Sequence, residues 1–199
     1  MTQTVLAMVV SALNAYGFWV LNRNVILGNE KPNTASWNLW VLLTTVNVSS
    51  YFTMNQDWYL SALLLTDTSL CVVIWALAWK RGSFKFPPRR DYFPIALAIV
   101  TIVVWKMSSA TDANVLTQVP MFISFVPYMT QAWAGEADAR PWAFWTSSFA
   151  LDLPLVYLRH MQTGRADWHD FLYPGLATLF HGSVMVIAWH RNWRICSTK

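Results

Sequence analysis

Residues 58–79 and 168–189 are apolar stretches with the same punctuation. Asp57-Trp58 stands at the head of the first and Ala78-Trp79 closes it; Asp167-Trp168 and Ala188-Trp189 do the same for the second, 110 positions later. A second correspondence, at a shift of 105, links Trp37-Asn38-Leu39-Trp40 to Trp142-Ala143-Phe144-Trp145. The difference of five is assigned to a longer loop around His160-Met161-Gln162-Thr163-Gly164. Two independent matches imply that one unit of three helices occurs twice.

A helix needs about 20 mostly apolar residues to cross a bilayer. Seven segments of this chain meet that need: roughly 3–22, 36–54, 58–79, 92–108, 114–133, 141–158 and 168–189. With 55% hydrophobic and 12% charged residues in 199, and the charges confined to short patches, an ordinary soluble domain is excluded. The expected fold is all-α and integral to the membrane: seven transmembrane helices as two parallel three-helix bundles joined by a linker helix. Residues 1–80 form the first bundle, 81–110 a basic loop and the linker, and 111–199 the second bundle and tail. The linker segment opens after Pro87-Pro88 and Asp91-Tyr92-Phe93-Pro94, since proline is tolerated at a helix start. One odd helix is needed between units of three if both are to face the same way. Parallel repeats of this kind are related by an axis along the membrane normal, with a solute site between them near the midplane.

The net charge of +4 follows from topology. With the amino terminus outside, Arg23, Lys31, Lys80, Arg81, Lys85, Arg89, Arg90, Arg140, Arg191, Arg194 and Lys199 fall inside, against Lys106, Arg159 and Arg165 outside. That is a positive-inside bias; it places the basic loop 80–90 and the carboxyl terminus in the cytoplasm and leaves no need for a nucleic-acid partner. Met1-Thr2-Gln3-Thr4 lacks the basic start of a signal peptide, so segment one is read as a mature helix. Cys71 and Cys196 are too far apart in kind of position, one inside a segment and one in the tail, to suggest a disulfide.

Ten of the 13 tryptophans lie near segment ends, namely Trp37, Trp40, Trp58, Trp79, Trp105, Trp133, Trp142, Trp168, Trp189 and Trp193. There an indole anchors at the headgroup level. Trp19, Trp75 and Trp145 sit deeper and are candidates for lining a cavity.

At the level of its three-one-three topology the whole chain resembles the SWEET and PQ-loop superfamily of small transporters, related to the MtN3-like and PnuC-type carriers. The fifth segment, Gln118-Val119-Pro120 through Pro127-Tyr128-Met129-Thr130-Gln131, is similar to a PQ-loop helix, with Pro127 and Gln131 separated instead of adjacent. The resemblance implies alternating access, with Pro127 and Pro154 as hinges. Segments one and two contain no internal proline, a departure from the pattern that leaves the subfamily open. The same superfamily includes a sorting receptor, so a receptor or a small assembly subunit is the competing reading.

An ionisable side chain at membrane depth is expensive, about 2.5 to 3.5 kcal/mol on insertion scales, and points to function. Asp67 and Asp152 lie midway along segments three and six; both are candidates for substrate binding and proton coupling. Asn47 corresponds to Asp152 at the 105 shift and His181 to Cys71 at the 110 shift. With Asn14, Gln118, Trp19, Trp75 and Trp145 they complete the candidate set for a small polar solute. No metal-ligand, nucleophile-elbow or phosphate-loop motif occurs, so neither an enzyme nor a cofactor is expected. A retinal protein is excluded by the lack of lysine in segment seven. The expected partners are the lipid bilayer and a small solute, with a homo-oligomer or larger membrane complex as the further option, and the expected location is a bacterial inner membrane.

Overall fold

The computed structural model describes residues 2–30, 34–80, 92–164 and 167–197. These form seven helices: α1 Thr2–Ile26, α2 Thr34–Asn55, α3 Trp58–Lys80, α4 Tyr92–Met107, α5 Ala110–Trp133, α6 Ala139–Thr163 and α7 His169–Ser197. Among the described residues there is no strand. Most of the basic loop, from Arg81 to Asp91, lies outside them.

Helix ends follow local chemistry. Ser109 caps α5 by accepting the Asp112 backbone N–H at 3.0 Å, and its hydroxyl donates to the Asp112 carboxylate at 2.8 Å. α5 therefore starts at Ala110, four residues ahead of the expected segment. Asp138 caps α6 through the Arg140 N–H. The stretch His160–Thr163, expected as loop, is the last turn of α6. Gly164 ends it in a left-handed cap, φ 68°, and donates to the His160 carbonyl at 2.9 Å.

α3 packs on both α1 and α2, and α7 packs on both α5 and α6. Between the halves, α1 meets α6 and α2 meets α5, two interfaces that exchange when the halves are swapped. α4 packs mainly on α5, with a smaller contact to α2. This is a three-one-three arrangement. Burial tests the register: of the eight buried positions of α3, seven have a buried counterpart 110 residues on, from Leu60 and Asp170 to Ala78 and Ala188. Only Ser61 fails, because Phe171 is half-buried.

α1, α3 and α7 are long and apolar enough to cross a membrane. α2, α5 and α6 have the length, 22 to 25 residues, but carry Asn47, Ser50, Asn114, Thr117, Gln118, Ser148 and Asp152, all buried in the protein. Asn47, Ser50, Asn114 and Gln118 hydrogen-bond across α2 and α5, and Ser148 donates to the Val10 carbonyl of α1, so these groups meet protein and not lipid, as a bilayer protein requires. The outer surface shows Val5, Met8, Val72, Val73, Ile99, Val103, Phe122, Leu179 and Val186. In water so continuous an apolar exterior would aggregate; in lipid it is the expected solvent face. The fold is that of an all-helical membrane protein.

Candidate functional site

A cavity of about 30 Å³ lies between the bundles, enough for about two waters. The first half contributes Phe18, Trp37, Trp40, Thr44, Asp67 and Cys71, and the second adds Gln118, Phe125, Trp145, Tyr173, Phe180 and His181. Both halves build it, as a site on the axis between repeats requires.

One end is closed by rings in pseudo-symmetric pairs. Trp40 lies 5.1 Å from Phe125, centroid to centroid, and Trp145 lies 4.9 Å from Phe18; the distances of Trp37 to Phe18 and of Trp142 to Phe125 are both 6.2 Å. These pairs relate α1 to α5 by a shift of 107, a correspondence that no shared motif announces. The hydrogen bonds then break the symmetry. The Trp37 indole N–H donates to the Tyr128 hydroxyl at 2.6 Å, and the Trp40 N–H donates to Ser124. Opposite Trp142 and Trp145, the matching positions of α1 in the first half are Leu21 and Gly17, and the buried N–H groups of Trp142 and Trp145 have no protein acceptor. Gly17 has its own reason to be glycine: a Cβ there would stand 2.8 Å from Trp145 Nε1.

The tryptophan belt therefore needs correction. Trp58, Trp79, Trp133, Trp168, Trp189 and Trp193 are exposed at helix ends, as anchors should be, and Trp105 is half-buried. Trp37, Trp40 and Trp142 are buried, 1%, 5% and 0% exposed. Spacing explains it: residues three apart share a helix face, so each Trp-x-x-Trp pair turns two indoles inward together.

Of the expected site residues, the structure brings Asp67, Gln118, Trp145 and His181 onto the cavity wall. Asn14 stands behind it, its amide donating to Asp67 Oδ1 at 3.1 Å. Asn47 is likewise one step removed. Its Oδ1 accepts from Gln118 at 3.2 Å and from Asn114 at 2.8 Å. The other three lie away from the cavity. Trp19 is half exposed on the outer side of α1, beside Arg23 and Tyr16. Trp75 is half-buried and donates to Asn38 Oδ1 at 2.8 Å. Asp152 is buried, 1% exposed, and its Oδ1 has no hydrogen-bond partner. The wall residues that sequence reasoning did not single out are mostly aromatic, together with Thr44 and Tyr173. The Tyr173 hydroxyl donates to Asp67.

The other end of the cavity is tied by polar contacts between the halves. Arg159 Nε donates to Asp57 Oδ2 at 2.5 Å and the guanidinium lies over Tyr59. Within the second half, His160 and Asp170 are 2.8 Å apart and join α6 to α7. Pro174 cannot donate to the Asp170 carbonyl four residues back, and that freed carbonyl accepts the Tyr51 hydroxyl at 3.4 Å. Pro120, Pro127, Pro154 and Pro174 all lie inside helices of the second half. Pro127 and Pro154, the expected hinges, thus sit in continuous helices.

Beyond the aromatic end, Glu30 in the α1–α2 loop is 4% exposed. Burial pushes its carboxyl up to about 7, aided by the neighbouring Asp138 charge. Burial also pushes Asp138 upward, but hydrogen bonds from Arg140 and Asn24 hold it below the usual carboxylate range. The Asn24 amide donates to Asp138 at 2.7 Å, joining α1 to α6. Among the described residues no cluster of His, Cys, Asp and Glu is placed to hold a metal ion.

No family model matches the chain, and neither a curated protein nor a solved structure matches it.

Proposed function

We propose that this protein is a small-solute carrier working by alternating access, the class to which its likeness to SWEET and PQ-loop carriers points. The observation that carries the reading is the cavity on the seam of two pseudo-symmetric bundles, with a buried carboxylate on its wall and a differently built closure at each end. In this reading the cavity, about 30 Å³ and enough for about two waters, is the narrowed stage of the cycle, and a solute enters when one end opens. One end is sealed by packed indoles, the other by the Asp57–Arg159 pair and the Tyr51 contact. Opening either end alone exposes Asp67 to one side. In this reading the bending falls in the second half, where the prolines of α5, α6 and α7 each remove a backbone hydrogen bond.

Asp67 is the proton-coupling group in this reading, because it alone of the two mid-helix acids reaches the cavity. The positive-inside bias orients the aromatic end toward the cytoplasm, with the amino terminus outside. The test is reconstitution into vesicles with an imposed pH gradient and a screen of sugars, amino acids, vitamins, amines and small carboxylates. A solute should accumulate against its gradient. Asp67→Asn should abolish accumulation while retaining exchange, and Asp152→Asn should leave both intact. Gradient-driven accumulation that survives Asp67→Asn would remove the coupling, and a protein that moves no solute but purifies with an obligate partner would favour an assembly subunit.

A further inference from the structure

The polar valences on the cavity wall are uneven. Six donors are already used. The Gln118 amide donates to Asn47 Oδ1 at 3.2 Å and to the Asn114 carbonyl at 2.9 Å. His181 Nδ1 lies 2.8 Å from the Ala177 carbonyl, which fixes the proton on that nitrogen. The Thr44 hydroxyl donates to the Trp40 carbonyl at 2.7 Å and the Tyr173 hydroxyl to Asp67. The indoles of Trp37 and Trp40 are spent on Tyr128 and Ser124. One further donor, the Trp145 N–H, has no protein acceptor and lies 2.8 Å from where a Cβ on Gly17 would stand.

Acceptors remain. Among the described residues, Gln118 Oε1 and His181 Nε2 receive no hydrogen bond. The Asp67 carboxylate is held by two neutral groups, Asn14 and Tyr173, and by no cation. Among the described residues no lysine or arginine lines the cavity. A buried carboxylate with only neutral partners is an uncompensated charge. The rest of the wall is largely aromatic: Phe18, Trp37, Trp40, Phe125, Trp145 and Phe180. Aromatic faces attract a cation placed over them.

From this we infer that the site takes a small alkylammonium cation, with Asp67 as its counter-charge, Gln118 Oε1 and His181 Nε2 accepting its N–H groups, and the rings enclosing its carbon skeleton. A sugar presents as many donors as acceptors and would leave its own oxygens without partners here; a carboxylate would meet Asp67 with like charge. The inference rests on the carrier reading for the way the cavity is reached, but binding can be measured without transport. If Asp67 carries a proton when the cavity is empty, the arriving cation displaces it, and the proton leaves to the side on which the cavity is open. That is cation–proton exchange with charge conserved.

Propylammonium is the probe, with 1-propanol, propionate and glucose as comparators, and the readouts are thermal stabilisation and titration calorimetry on the purified full chain. Saturable binding of propylammonium, at least about tenfold tighter than that of propanol, is expected. Asp67→Asn should weaken it by about tenfold or more, and Asp67→Glu should recover part of the loss. Phe180→Leu, which keeps the charge and perturbs the fold little, should weaken it by about two- to fivefold with no change for propanol, as expected for one lost cation–π contact. Asp152→Asn should bind as the parent does. Preference for propanol, propionate or glucose overturns the inference, as does propylammonium binding that Asp67→Asn leaves unchanged. Glucose uptake by vesicles without propylammonium binding would sink this inference and keep the carrier; propylammonium binding with no movement of any solute would do the reverse.

Discussion

Adding one methyl group at Gly17 tests the packing of α1 on α6. The new Cβ would stand 2.8 Å from Trp145 Nε1, 2.9 Å from its Cδ1 and 3.2 Å from the Pro141 carbonyl oxygen. Comfortable carbon contacts begin at about 3.5 Å, so something must move by roughly 0.7 Å. Trp145 has little freedom to do so: it is 2% exposed, with Phe18, Trp142 and His181 rings at 4.9, 5.1 and 5.7 Å. The helices must separate, and overpacking of this kind costs about 1 to 3 kcal/mol. Alanine in place of glycine recovers about 1 kcal/mol of helix propensity. A net loss of about 1 kcal/mol is expected. Gly182→Ala supplies the reference, because its Cβ would meet Thr146 at 3.5 Å, an ordinary contact. Propensity cancels between the two variants, so Gly17→Ala should be less stable than Gly182→Ala by about 1 to 3 kcal/mol. Thermal unfolding of both in one detergent, followed by tryptophan fluorescence, measures the difference. A Gly17→Ala protein that melts at or above Gly182→Ala would refute the close approach.

Three further outcomes follow from the polar contacts. The Glu30 carboxyl has an ordinary value of 4.5 and is raised to about 7 in the fold, so the folded state binds the extra proton. Its stabilising effect is complete below about 4.5 and disappears as pH rises through about 7, a swing of at most about 3 kcal/mol. Glu30→Gln should flatten melting temperature against pH over that window, and an unaltered profile would contradict the burial. Tyr51→Phe removes the hydroxyl that meets the carbonyl freed by Pro174 and should cost about 1 kcal/mol or less in chemical unfolding; no loss at all would make that contact idle. Arg159→Met breaks the partly exposed pair with Asp57, costing about 1 kcal/mol or less, and should increase labelling of Cys71 on the cavity wall from the outer side. Unchanged labelling would show that the pair is no closure.

The duplication was legible where the repeats share punctuation at helix ends, in the Asp-Trp and Trp-x-x-Trp pairs. It was not legible for α1 and α5, whose matching groups are Phe18 with Phe125 and Gly17 with Ser124, too ordinary to stand out in a chain this apolar. Depth in a segment was a fair guide to burial, but face decided function. Asp67 and Asp152 are both mid-helix, yet only Asp67 turns to the cavity. Trp19 is deep in sequence terms but lies off the face on which Val10, Asn14, Gly17 and Leu21 are buried. End position misassigned Trp37, Trp40 and Trp142 to the lipid boundary; their spacing of three carried the contrary signal. The Asp170–His160 and Tyr51–Asp170 contacts needed coordinates, because neither partner belongs to a motif.

The claim on which the function depends is that one buried cavity is reached from each side of the membrane in turn. Cys71 is a natural reporter, 3% exposed on the cavity wall and facing no solvent in the occluded state. In a Cys196→Ser background, its alkylation by a membrane-impermeant maleimide can be timed with reagent on either side of oriented vesicles. Slow labelling from both sides, suppressed by propylammonium or any solute found to be transported, is the predicted result. Labelling from one side alone under every condition, or from neither, would contradict alternating access.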